Sequence, residues 1–460
     1  MKRPQHLINR AGRRRWQAAA IVTAAALAAA ACSSSSSSSS ASSSTSGSGS
    51  SSAALTASAP GITPTQILIG SHQPLTGPAA PGYDEIAPAS DAYFNYVNAN
   101  GGVYGRKIVY KYLNDAYDPT TTASVVRQLV LQDNVYALFD GLGTPTHLAA
   151  VQFLNSEKVP DVFVASGCEC WNAPTTYPET FGWQIDYVRE GKILGQYVKQ
   201  HFAGKKVAFF YQDDEFGQDG VKGLDDEIPA SMVVSKQSYV DTNVNIAPQV
   251  AALRASGAQV VISFSIPAFT ALLKLNSLKL GFSPQLVVSD VGSDPITLSG
   301  LLESFAKQGG ATVNGNALTN GIITDDYLPS AGDTTNSWIA LFTKVHNQYD
   351  AKAPLDGNVF YGMAVAYTFV QAMFKAGRNP TRADLVSAIE SGLPQGPMIS
   401  QFAYSSGDHA GATGAFIGII KNGVEVQEGP VMTTDTSASG PITTYTGTEQ
   451  QAPASGIPSP

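Results

Sequence analysis

The sequence predicts an α/β protein of two doubly wound parallel-sheet lobes, and three observations carry that expectation. From Gln66 onward, short β-branched apolar runs alternate with amphipathic stretches. That is the pattern of parallel strands covered by helices on both faces. The rhythm completes four strands and restarts after Arg189, which divides the body into two successive lobes. The length of 460 residues and the 43% hydrophobic content are enough for two cores.

The first residues do not belong to that body. Lys2, Arg3, Arg10, Arg13, Arg14 and Arg15 form a basic front, followed by the apolar run Ala18–Ala31 and Cys32. This is the layout of a bacterial export signal. The run is shorter than the roughly 20 residues of a membrane-spanning helix. Ala30-Ala31-Cys32 resembles a lipobox, where cleavage precedes an acylated cysteine, although Ala29 stands where Leu is usual. Gly12-Arg13-Arg14-Arg15-Trp16 resembles a twin-arginine signal, so the export route stays open. Ser33–Ser52 is nearly pure serine with Gly, Ala and Thr. It cannot bury apolar surface, and a flexible tether is expected over 33–62. The end of the chain, 433–460, is again rich in Ser, Thr, Pro and Gly and is expected to be a disordered tail.

Once the signal is removed, 22 Lys+Arg face 36 Asp+Glu. Nucleic acid is therefore not an expected partner, because such affinity rests on Lys and Arg at phosphates.

The body reads strand by strand. QILIG (66–70) leads into a helical stretch ending near Asn98. KIVYKYL (107–113) precedes TTASVVRQLVLQ (121–132), VYALF (135–139) precedes THLAAVQFLN (146–155), and VPDVFVA (159–165) runs into SGCECW (166–171). In the second series KVAFFY (206–211), MVVSKQSYV (232–240), QVVISF (259–264) and QLVVS (285–289) are strands. EGKILGQYVKQHF, GQDGVKGLDDEI, IAPQVAALRAS and AFTALLKLNSLKL read as helices between and around them. The aromatic helix DGNVFYGMAVAYTFVQAMF (356–374) has core spacing. DDEF (213–216) reads as a solvated loop. In such sheets ligands sit in the loops after the carboxyl ends of the strands, which are 71–83, 114–120, 140–146, 166–171, 212–217, 265–268 and 290–295.

SHQPLTGPAAPGYDE (71–85), FNYVNANGGVYGRKI (94–108), NDAYDPTTTASVVRQLV (114–130) and YQDDEFGQDG (211–220) carry a family resemblance. In order and spacing, the chain resembles the leucine/isoleucine/valine-binding proteins, the type I periplasmic solute receptors of ABC importers. The likeness spans about Gln66 to Gly429. It implies two lobes joined by three crossing segments, near Asp186–Tyr187, Asp325–Asp326 and Ala403–Tyr404. Lobe 1 would hold 65–186 and 326–403, and lobe 2 would hold 187–325 and 404–430.

The same resemblance supplies candidate ligand-binding residues. Gly143, Thr144 and Thr146 stand where hydroxyls and a helix N-terminus hold the ligand carboxylate, with Pro145 removing one backbone donor. Ser166, Gly167, Cys168 and Glu169 form the second loop, in which Glu169 replaces a threonine. Asp290 aligns with the acidic partner of the ligand ammonium. Ser265 and Ile266 fall where a tyrosine is usual, Phe216 stands in another tyrosine position, and Tyr83 follows Gly82 at an aromatic stacking position. A carboxylate at Glu169 beside a ligand carboxylate would raise a pKa or demand a cation. Weak binding of leucine, isoleucine and valine is therefore expected, with an amide or amine preferred, unless Glu169 points to solvent.

No Cys/His cluster has metal-ligand spacing, so no metal or cofactor is expected. No histidine stands at a sequence spacing that would activate a thiol, although His147 falls near the same loops. Cys168 and Cys170 are either bridged or simple packing cysteines. Two extended residues span roughly 6.6 Å, near the limit of about 6.8 Å for a disulfide, so a bridge needs a bend. The expected function is that of a monomeric, lipid-anchored receptor on the outer face of the cytoplasmic membrane. It would hand a small polar solute to an ABC permease. A sensory receptor is the alternative within the fold. A secreted hydrolase is the rival from another class, and it lacks G-x-S-x-G, H-E-x-x-H and phosphate-loop motifs.

Overall fold

A computed structural model describes residues 54–459; the export signal, Cys32 and residues 33–53 lie outside the described residues. The first sheet contains β1 (Gln66–Gln73), β2 (Lys107–Asn114), β3 (Leu138–Phe139), β4 (Asp161–Val164) and β5 (Thr180–Gly182). Its order is β2-β1-β3-β4-β5 and every pairing is parallel. The second sheet contains β6 (Val207–Gln212), β7 (Val233–Tyr239), β8 (Val260–Phe264), β9 (Gln285–Val288) and β10 (Ile323–Asp326). It continues with β11 (Gly414–Lys421), β12 (Val424–Thr433) and β13 (Thr443–Thr444). Strands β6 to β10 pair in parallel, and β11, β12 and β13 extend that sheet in antiparallel fashion. Lobe 2 is thus a mixed sheet: β11 returns from lobe 1 antiparallel to β10, and β12 and β13 follow it without crossover helices.

Several of the described helices begin at an aspartate. Asp118, Asp186, Asp294 and Asp356 each accept a backbone N–H of the first turn, the capping bond that satisfies an otherwise unpaired donor. The aromatic helix Gly357–Ala376 is buried almost throughout. It packs on helix Ile86–Ala99 so closely that a Cβ on Gly362 would lie 2.3 Å from the Ile86 carbonyl. Phe94, Phe139 and Phe369 meet edge to face in this lobe's core. Truncating such a ring to alanine costs about 3–5 kcal/mol. Among the described residues, no helix is long and apolar enough to cross a membrane.

The chain passes from β5 into helix Tyr187–His201, from β10 into helix Ser337–Tyr349, and from helix Arg382–Glu390 through 391–413 into β11. After β13 it crosses back to lobe 1 a fourth time, so the expected disordered tail is ordered. Arg189 donates to the Thr434 carbonyl, and Lys192, fully buried, donates to the carbonyls of Asp435, Ser437 and Gly440 at 2.9, 2.7 and 3.0 Å. Buried cations must find acceptors, and this segment supplies them. Further on, Trp338 donates to the Gln450 carbonyl, Tyr96 to Ser455 and Tyr93 to Gly456. The expected tether also ends early. Arg106 donates to the carbonyls of Thr56 and Thr63, and Ile62 is buried. Composition favoured flexibility in both segments, but the hydrogen-bonding needs of Arg106, Lys192 and the tyrosines override it.

Candidate functional site

A cavity of about 290 Å³ lies between the lobes, bounded by strand-end loops of both. Its size is near the lower end of small-molecule sites. Lobe 1 supplies Tyr83, Tyr117, Gly143, Thr144 and the start of helix Gly357–Ala376; lobe 2 supplies Phe216, Ile266, Asp290 and Asp294. The hinge strands add Asp325, Asp326, Tyr327 and Glu425, and Tyr187 closes the floor.

The lobes are closed on one another. The Tyr83 hydroxyl donates to the Val291 carbonyl across the cleft. Gln212 Nε2 donates to the Tyr117 hydroxyl at 3.2 Å, the Gly357 N–H to Asp294 Oδ2 at 3.0 Å, and Asn358 Nδ2 to Thr297 Oγ1 at 3.1 Å. Gly82 has φ +85, and a Cβ there would lie 2.8 Å from Asn358 Nδ2. Only glycine permits both that conformation and that approach.

Of the residues expected at the site, Tyr83, Gly143, Thr144, Phe216 and Asp290 line the cavity, as does Ile266. The others lie elsewhere. Thr146 caps its own loop by donating to the Leu142 carbonyl at 2.6 Å. Ser265 is buried behind the wall against Ser263 and Thr270. Ser166 hydrogen-bonds Thr144 at 2.6 Å, and the Tyr187 hydroxyl is turned to Ser166 and to the Gly167 N–H. The Gly167 carbonyl accepts from the Tyr187 N–H at 2.7 Å, and a Cβ on Gly167 would lie 2.5 Å from the Ile185 carbonyl. The loop's backbone therefore serves the first crossing segment rather than a solute.

Glu169 is the main correction. It points away from the cavity and forms an ion pair with Lys222 of lobe 2, and its own N–H donates to Asp219 at 2.8 Å. It is an interlobe latch at the rim, so its charge gives no reason to reject aliphatic amino acids. Cys168 and Cys170 are bridged, with Cα atoms 5.1 Å apart, and Cys168 packs with Val151, Val164 and Trp171. The bridge removes any thiol nucleophile. His147 is engaged with Asp161 at 2.8 Å and with His72 at 2.9 Å. In DDEF, Asp214 caps helix Glu215–Glu227 and Phe216 enters the cavity, so the stretch is not merely a solvated loop.

The electrostatics were largely invisible in the sequence. Carboxylate oxygens of Glu190, Asp290 and Asp325 lie within 4.8 Å of one another. The Asp290 N–H points at Glu190 (3.2 Å) and Asp325 (3.3 Å). Burial, then Asp325, pushes the Glu190 carboxyl well above the usual range. Burial, then Glu190, does the same to Asp290, and burial, then Asp290, to Asp325. Burial raises Asp326 to about 6, and burial with Asp294 raises Asp356 to about 6. Glu425 is raised well above its ordinary value by burial and Asp326; Glu85, behind Asp356, rises to about 9. Among the lining residues there is no Lys, Arg or His. The signals in the sequence were Asp290, which the resemblance pairs with a ligand ammonium, the Asp325-Asp326 doublet at a crossing and aspartates at helix starts. Folding alone brings them together.

A closed cleft between two α/β lobes, roofed by strand-end loops, defines a solute-receptor architecture. The sequence profile described as periplasmic binding protein matches residues 66–424, and the chain belongs to that family. It is 29% identical over 240 residues to Leu/Ile/Val-binding protein homolog 7 of Brucella abortus (strain 2308), covering 49% of this chain. The matched stretch spans 59% of that relative's length. Among solved structures, a branched-chain amino acid ABC transporter protein from Thermus thermophilus with bound valine superposes with a TM-score of 0.70. The identity is 18%, covering 81% of this chain and 97% of that one. A fatty acid ABC transporter substrate-binding protein from Thermomonospora curvata superposes at 0.69 with 22% identity, covering 81% and 94%.

Proposed function

We propose that the protein is the extracytoplasmic solute-binding component of an ABC importer, held to the outer face of the cytoplasmic membrane through Cys32. It binds a small polar solute bearing an ammonium group, of the amino-acid or amide class, and releases it unchanged. The observation that carries this reading is the closed-up cleft between lobes, partly open to solvent, with Asp290 on its wall and hydrogen bonds bridging its rims. Closure around a solute creates the shape a permease can recognise, and only a ligand that favours the closed state can drive it. Cys168 is bridged and His147 is hydrogen-bonded through both ring nitrogens, so these two residues form no thiol–imidazole pair of the kind a cysteine hydrolase requires. The relatives' names, with leucine, isoleucine and valine among them, support the amino-acid-like class; Asp290 and the hinge carboxylates support the ammonium.

A thermal-shift screen of amino acids, amides, polyamines and aromatic acids tests the reading. A true ligand at 100 times its Kd stabilises the folded protein against unfolding by about 2.7 kcal/mol. A ligand recovered unchanged supports the assignment. Turnover of the bound molecule, or no solute raising the melting temperature, contradicts it.

A further inference from the structure

Six carboxylates face the cavity: Asp290, Asp294, Asp325, Asp326, Asp356 and Glu425. Glu190 and Glu85 stand directly behind them. These acids form two groups. The hinge group is Glu190, Asp290 and Asp325. The rim group gathers Asp294 and Asp356, joined through Thr297, whose N–H donates to Asp294 at 2.7 Å and whose hydroxyl donates to Asp356 at 3.4 Å, and Asp326 lies between the two groups.

An acidic cluster alone is weak testimony, but here buried oxygens lack partners. Glu190 Oε2, Asp325 Oδ2 and Asp290 Oδ1 accept no hydrogen bond, and neither do Glu425 Oε1 and Glu85 Oε2. Glu190 is fully buried and Asp325 is 1% exposed. Buried acceptors without donors are costly, several-fold more so when ionised. Burial and mutual repulsion raise these carboxyl pKa values, which favours protons as the missing donors.

Of the groups expected to receive a ligand carboxylate, the hydroxyls are engaged, while the N-terminus of helix Thr144–Ser156, at Gly143 and Thr144 on the cavity wall, carries no side-chain cap. The Thr144 hydroxyl is tied to Ser166, and Ser166 and the Gly167 N–H face the Tyr187 hydroxyl. The cavity thus sets six carboxyl groups, with no Lys, Arg or His beside them, against that helix N-terminus. Its remaining walls include Tyr83, Tyr187, Tyr327, Phe360 and Tyr361. Such ring faces attract ammonium groups and pack against methylenes.

We propose that the cleft selects an elongated organic cation, a linear di- or polyamine. One ammonium sits at Asp290 and Asp325, a second sits at Asp294 and Asp356, and the intervening methylenes lie against the tyrosines. This rests on the solute-binding reading above; it keeps that reading's ammonium and puts a di- or polyamine in place of the amino-acid or amide class. A single metal ion would engage only the hinge group. It would leave the rim carboxylates and most of a cavity of about 290 Å³ without a role. Binding exchanges carboxyl protons for ammonium N–H donors, so protons are released to solvent.

Calorimetry on the purified full chain, with spermidine, 1,5-diaminopentane, L-leucine and calcium chloride as separate titrants, tests this. Spermidine is expected to bind at least about 100-fold tighter than leucine. Its affinity should rise about tenfold or more from pH 5.5 to pH 8, with proton release seen as a buffer-dependent heat. Asp290→Asn and Asp356→Asn should each weaken spermidine by about tenfold or more. If a variant fails to fold, the pH profile of the unmodified protein decides. Leucine binding tighter than either amine overturns the inference and leaves the solute-binding reading intact. Calcium binding that amines do not displace replaces the amine with a metal site. No heat from either amine at 1 mM also overturns it, and the wider screen then judges the parent reading independently.

Discussion

Asp356→Asn separates the charge of the site from its architecture. Asp356 is 1% exposed, and its Oδ1 accepts the Val359 N–H at 3.0 Å as the cap of helix Gly357–Ala376. Asparagine caps equally well, so the helix start survives while the carboxyl is removed. The folded-state pKa is raised from 3.8 to about 6. The folded protein therefore binds this proton more tightly than the unfolded chain does. Stability from this group is complete below pH 4 and falls as pH rises through about 6, staying low above it. The loss at pH 8 is about 2 units at 1.36 kcal/mol each, or roughly 3 kcal/mol. Removing the carboxyl should recover most of it. Unfolding entropy of about 2.1 cal/mol/K per residue converts this to a rise of about 3–4 °C at pH 8. At pH 4 the change should be near zero. Ligand-free scanning calorimetry at both pH values reads the effect. A variant that is destabilised at pH 8, or shifted equally at both, refutes the electrostatic account of the cavity.

Other expectations follow from single contacts. Gly167→Ala places a Cβ 2.5 Å from the Ile185 carbonyl and should cost about 1–3 kcal/mol by overpacking; an unchanged denaturant midpoint contradicts that placement. Glu169→Thr breaks an exposed interlobe ion pair with Lys222. It should change solute affinity by no more than about fivefold and leave solute preference unaltered, as competition titrations would show. Ending the chain at Thr448 strips the acceptors of Trp338, Tyr96 and Tyr93. A loss of about 1–3 kcal/mol per unpaired buried donor is expected, and an unchanged melting temperature would mean the strap carries no stability. Reducing the Cys168–Cys170 bridge should add two hydrogens by mass and cost only about 1.5 kcal/mol, because the loop it closes is so short.

The strands were legible because each is a β-branched run bounded by turn residues; QILIG and KVAFFY became β1 and β6 within a few positions. Loops after strand ends were legible as the place of the site for the same topological reason. The failures share another cause. Glu169 was assigned by its position in a loop, yet which face a loop side chain takes depends on partners such as Lys222, far away in the chain. The acidic cavity was missed because Glu85, Glu190, Asp290, Asp325, Asp356 and Glu425 come from separate segments. Asp290 alone reads as a ligand partner, through the family resemblance; the others carry no such mark in the sequence. The tail misled through composition: its Ser, Thr and Pro residues contribute carbonyl acceptors, which no side-chain pattern reveals.

Native mass spectrometry of the exported, purified protein tests the central claim most directly. The account predicts one small cationic solute per chain, released chemically unchanged and displaced by excess spermidine. It also predicts that the adduct is lost when Asp290 is replaced by asparagine. A bound anion, a bound aliphatic amino acid that survives that substitution, or a chemically altered product would contradict it.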